Sequence, residues 1–111
     1  MATVFYRIVK AERPTEDDFT SNYAKGRPPR GTERDFPAVH RSISVFARRE
    51  EALAVQRAYP RLGGWIAELE VDDADEEIVV HGPSPQSRSS HHSLEGAPAA
   101  FLQRVREVRA V

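Results

Sequence analysis

The hexapeptide VFYRIV, residues 4–9, sets β-branched and aromatic side chains around a single arginine. Such a run favours an extended strand, whose side chains alternate between two faces. Phe5, Arg7 and Val9 then share one face, and Val4, Tyr6 and Ile8 the other. An arginine inside so apolar a run needs a reason: it lies at a sheet edge or points into a polar cleft.

The same alternation recurs in SISVFA, residues 42–47, with Ile43 and Val45 on one face and Ser44 and Phe46 on the other. WIAELEV, residues 65–71, predicts a third strand, although Ile66 and Leu69 differ in parity, which implies a bulge or two buried faces. IVVH, residues 78–81, is a short fourth strand, and the valines of 105–111 favour a final strand over a helical continuation. Thr15, with Asp18 three residues on, predicts a helix over 15–24 that Gly26 stops. Arg48 to Tyr59 sets Ala52, Val55 and Tyr59 on one stripe and ends at Pro60. Ala97 to Gln103 is a third short helix, with Pro98 in its first turn. Residues 27–41, RPPRGTERDFPAVHR, are expected as a basic loop without regular structure, and 82–90 as a mobile loop. Gly63-Gly64 marks a turn. The order β-α-β-α-β-β-α-β predicts a single α+β domain over 1–111. Its sheet should be mixed or mainly antiparallel, with two or three short helices.

Without cysteine, the chain has no disulfide, thiolate metal site or cysteine nucleophile. A formal net charge of -1 excludes a global attraction to polyanions. Charge is nonetheless uneven, basic over 25–49 and acidic over 68–77. The N-terminal MATVFYRIVK lacks the pattern of a signal peptide, and no run is long enough to span a bilayer. A cytoplasmic protein without membrane association is the expectation.

Chemistry-bearing motifs are few. His40, His81, His91 and His92 show no metal-ligand spacing, and adjacent residues on a strand face opposite ways, so no metal site is expected. No nucleophile elbow surrounds Ser42, Ser44 or Ser93, and no glycine-rich phosphate loop occurs. Arg27, Arg30 and Arg34 near Tyr23 place cations beside an aromatic, as single-strand nucleic-acid binders do, but no RNP-type motif accompanies them. The strongest constellation is Arg7 on the first strand with Ser44 on the second. A guanidinium fixed on a strand is a planar clamp for pyrophosphate. The alternative for Arg7 is an ion pair with an acidic residue on a neighbouring strand. SSHHSLEGAPAAF, residues 89–101, puts His91, His92 and Ser93 at a loop-to-helix boundary, where one of them is expected to reach the same cleft.

The blocks VFYRIV, PTEDDF…GRPPR, SISVF, RLGGWIAELEV and HHSLEGAPAAFLQRV resemble a short uncharacterised bacterial domain family over nearly the whole chain. The strand arginine followed by a serine strand also resembles the RES-type and other ADP-ribosyltransferase folds. In those, an arginine or histidine, a serine or tyrosine, and a glutamate form an NAD site. The resemblance implies that Arg7 and Ser44 occupy the first two positions, and it leaves Glu68, Glu70 and Glu95 as candidates for the third. On this reading Arg7, Ser44 and His92 are the catalytic candidates, and Arg7, Arg27 and Arg30 hold the cofactor. NAD or a related nucleotide is the expected ligand. The alternative is a non-enzymatic toxin–antitoxin or phage-defence component. Its basic loop, residues 25–34, would meet a protein or nucleic-acid partner.

Overall fold

The computed structural model describes residues 2–82 and 91–111. Six strands, β1 (Ala2–Val9), β2 (Ile43–Phe46), β3 (Trp65–Asp72), β4 (Val79–His81), β5 (His91–Glu95) and β6 (Val105–Ala110), form one sheet in the order β4-β5-β2-β1-β3-β6. Every neighbouring pair is antiparallel. Three helices, α1 (Pro37–His40), α2 (Arg49–Ala58) and α3 (Pro98–Gln103), complete an α+β domain. Among the described residues no helix is long and apolar enough to cross a membrane. The loop expected to be mobile at 82–90 lies, apart from Gly82, outside the described residues.

Strand alternation explains how the sheet buries both faces. Phe5, Val9, Val45, Ala67, Leu69 and Leu94 point to one side, where Phe19, Ala100 and Phe101 close the main core. Phe46 and Ile66 point to the other side, under Ala52 of α2, with Tyr6, Ile8, Leu53 and Val55 packed around them. The mixed parity of WIAELEV comes from two buried faces: Ile66 serves the second core and Leu69 the main one. The β3–β6 register shift between Glu68 and Leu69 skips a residue of β6 and leaves the β1–β3 pairing continuous.

Three expectations need correction. The helix over 15–24 is only a 3₁₀ turn at Glu16–Phe19, after which Thr20 is extended. Phe19 is drawn into the core against Phe101. Polar side chains of the TSN run take the backbone groups a helix would use: the Thr20 hydroxyl donates to the Glu16 carbonyl at 2.8 Å, and Ser21 Oγ accepts from the Ala24 N–H at 3.1 Å. The segment read as an irregular loop carries α1 and a second 3₁₀ turn, Gly31–Arg34, because Pro37 suits the first helical turn. The largest difference is β5. His91 to Glu95 lacks β-branched residues, yet it pairs on both sides, with β2 and with β4. Burial of Leu94 between neighbours outweighs its local propensity.

Acidic residues 68–77 are not simply a solvated run. Arg104 donates to Asp75 at 2.7 Å and to Glu77 at 3.3 Å, tying the β3–β4 connection to the end of α3. Its guanidinium holds the Asp75 carboxyl below the usual carboxylate range.

Candidate functional site

β1 and β3 are paired over eight consecutive positions, whereas β1 and β2 meet in register only at Tyr6–Phe46. Continued pairing would set Ile8 opposite Ser44; instead the two strands part. Arg7 enters this split. Its Nε donates to the Asp18 carbonyl at 2.7 Å and its Nη1 to the Ser44 carbonyl at 2.7 Å. The expected ion pair on a neighbouring strand is absent: among the described residues no carboxylate lies within ion-pair distance of Arg7. Burial lowers its pKa to about 10, against the opposing pull of Asp18, so the group stays cationic at neutral pH but poorly solvated.

A cavity of about 630 Å³ opens at this point, within the range of small-molecule sites. Arg7, Lys10, Arg27 and Arg61 line it, and none of the four has a carboxylate partner among the described residues. Lys25, also in the wall, pairs with Asp17 at 3.6 Å. The other two acids of the wall are engaged as well. Asp18 accepts the Lys10 and Thr15 backbone N–H groups at 3.1 and 2.9 Å. Glu33 accepts from the Asn22 amide and the Arg30 N–H, both at 3.2 Å. The cavity therefore holds positive charge in excess, with Asp18 and Glu33 hydrogen-bonded and Asp17 ion-paired.

The basic segment forms part of this wall. Glu33 closes it onto Asn22, and His40 Nε2 lies 2.8 Å from the Arg27 carbonyl. Arg27 thus lines the cavity as expected, whereas Arg30 is exposed and does not.

Arg7 and Ser44 are brought together, but through the Ser44 carbonyl. The register puts the two side chains on opposite faces of the sheet, since Arg7 aligns with Phe5 and Val9, and Ser44 with Phe46. Ser44 also lines the cavity. His92 does not: it pairs with Val45 on the main-core face, and its ring stands 5.4 Å from Phe5. His91 takes the place expected of it, because one residue along a strand reverses the face. The three candidate glutamates stand elsewhere. Glu68 and Glu70 pair with Arg106 at 3.6 and 3.7 Å, and Glu95 with His81 and Arg41 at 3.1 and 3.5 Å. Lys10, Arg61 and Glu33 carried no local signal in the sequence; only the close approach of distant segments makes them a set.

No group of three or more His, Cys, Asp or Glu side chains among the described residues is arranged to hold a metal ion.

Burial, and then the charge of His92, push the His91 pKa below its usual value. The unfolded chain therefore takes up this proton first, and stability falls as pH drops below about 6.5. The expected outcome is a midpoint of thermal unfolding that declines between pH 7 and pH 5 in the wild type and less steeply in His91→Gln. Equal slopes in circular-dichroism melts would show that other groups carry the dependence.

No family model, no curated protein and no solved structure matches the chain.

Proposed function

We propose that the chain binds a phosphate-bearing nucleotide of the NAD and ADP-ribose class in the split between β1 and β2. The observation that carries this reading is Arg7, a desolvated guanidinium with no carboxylate within ion-pair distance among the described residues, lining a cavity where Lys10, Arg27 and Arg61 also lack a carboxylate partner among the described residues. A desolvated arginine offers phosphate oxygens a stronger charge-assisted contact than a hydrated one. Lys10, Arg27 and Arg61 add attraction, and His40 meets the Arg27 carbonyl beside the cavity wall. Phe46, Val55 and Leu62 supply apolar surface for a ring.

The resemblance to ADP-ribosyltransferases implies a reaction as well. An acceptor lone pair would attack the glycosidic carbon, and nicotinamide would leave with the bonding electrons. That step needs a carboxylate to orient the ribose and take the acceptor's proton. Asp18 and Glu33 are held by backbone and amide N–H groups and Asp17 is paired with Lys25, which disfavours this role. Binding without turnover is the reading supported best.

Thermal-shift titration with NAD, ADP-ribose and AMP, combined with an assay for released nicotinamide, tests it. A ligand at about 100 times its Kd adds about 2.7 kcal/mol, roughly 10 °C for a domain of this size. A shift without nicotinamide release is expected. Release would add the transferase or hydrolase step. No shift with any of the three would remove the nucleotide reading. Attention would then move to a macromolecular partner of residues 25–34, whose binding would weaken when Arg27, Arg30 and Arg34 are neutralised together.

A further inference from the structure

His91 differs from the other histidines of the chain. His40 has the Arg27 carbonyl, His81 has Glu95, and His92 is also engaged. Neither ring nitrogen of His91 has a hydrogen-bond partner among the described residues, although the side chain is half-buried. Leaving a partly buried polar group unmade is unfavourable, and a histidine is ordinarily oriented by the bond its second nitrogen makes. Here orientation comes from packing. His91 stands opposite Phe46 in the β2–β5 register, with ring centroids 5.6 Å apart at 55°. Both rings line the cavity.

The groups around His91 define what it can bind. Arg7 from β1 and Arg61 from the turn before β3 line the same cavity, with Lys10 beyond the end of β1 and His92 next in sequence. Asp18 and Glu33 are occupied by N–H donors. Burial first, and then His92, push this imidazole below its usual pKa, which favours its neutral form. A neutral imidazole offers one acceptor and one donor, in contrast to the donor-only cations beside it. Phosphate oxygens are matched by the arginines and lysine; the acceptor nitrogen is matched by a hydroxyl.

We infer that His91 accepts a hydrogen bond from a sugar hydroxyl of the bound ligand, so that the cavity selects a phosphorylated sugar over phosphate alone. The inference rests on the nucleotide reading above and extends it to a specificity-determining residue. Ser44 is the nearest hydroxyl-bearing side chain of the wall in register, since it neighbours Phe46 on the same face of β2.

Isothermal titration of the whole chain with two probes, ADP-ribose and inorganic pyrophosphate, separates the roles. His91→Ala should weaken ADP-ribose by about tenfold or more and leave pyrophosphate within about twofold, the loss expected for one neutral hydrogen bond. His91→Gln, whose amide oxygen is again an acceptor, should recover part of the loss and serves as the second variant should the alanine form fold poorly. Unchanged ADP-ribose affinity in both variants would overturn the inference. So would an equal loss for both probes, which would put His91 on the phosphate or make its effect one of cavity shape. Wild-type protein that binds pyrophosphate but not ADP-ribose would overturn the sugar contact alone. Binding of neither probe would overturn the nucleotide reading and this inference with it.

Discussion

Arg7→Met is expected to lower affinity for ADP-ribose by between about 30-fold and several thousand-fold, the range for removing one partner of a desolvated, charged contact. The same change is expected to leave the folded chain nearly as stable as the wild type. Two terms oppose each other. The guanidinium donates to the Asp18 and Ser44 carbonyls, and losing such bonds costs roughly 1.5–3 kcal/mol each. Against this, burial leaves the charge poorly solvated, as its lowered pKa records, and only the Asp18 charge offsets it. A methionine of similar length removes that penalty and packs beside Phe5 and Val9. Titration calorimetry and chemical denaturation on the same preparation check both halves. Loss of affinity with stability retained identifies Arg7 as a ligand group. A large stability loss with affinity retained would identify it as a structural brace between β1, β2 and the 3₁₀ turn at Glu16–Phe19.

Gly63→Ala should produce the largest loss of stability among the glycine-to-alanine changes of the chain. Gly63 has φ 147° and ψ 171°, a region open only to glycine. A Cβ at this position would overlap the Val9 carbonyl, whose carbon lies 2.6 Å away. Backbone is on both sides of the clash: Val9 is locked in the β1–β3 ladder opposite Trp65, and the Gly63 carbonyl is held by Gln56 at 3.0 Å. The expected cost is more than about 3 kcal/mol, or at least roughly 12 °C in the unfolding midpoint. Relief by displacement would move Arg61 and Leu62, so ligand affinity should fall as well. Gly64→Ala is the control, because a Cβ there meets no atom within 4 Å. Similar melting curves for the two variants would show that the Pro60–Leu62 turn is free to shift.

Much of this molecule was legible in short windows. VFYRIV and SISVFA alternate with period two, and the covalent geometry of an extended chain turns that alternation into two faces wherever the strand is placed. Hence Phe5 and Val45 reach the main core and Phe46 the second, as their positions in sequence require. Ala52 and Val55 of the α2 stripe, the stop at Pro60 and the turn at Gly63 follow from equally local rules, whereas Tyr59, expected on the same stripe, caps the helix and is exposed. The acidic candidates did not follow. Glu68 and Glu70 sit on a strand as expected and Glu95 ends the unexpected strand β5, but which strand lies beside β1 is decided by long-range burial, and none of the three lines the cavity.

The choice between His91 and His92 shows the limit most plainly. Both lie in one polar tetrapeptide, and nothing local tells which faces the cavity. Pairing of β5 with β2 sets Leu94 against Ile43 in the core, and the period of two then sends His92 to Phe5 and His91 to Phe46. The site itself has the same origin. Alternation placed Arg7 on a strand, but its meaning depends on β1 and β2 separating after one pair, and on residues 10, 27 and 61 arriving at the gap. Faces are a property of the chain; strand order, register and the places where neighbours part are properties of the packed whole, because they minimise exposed apolar surface over residues far apart in sequence.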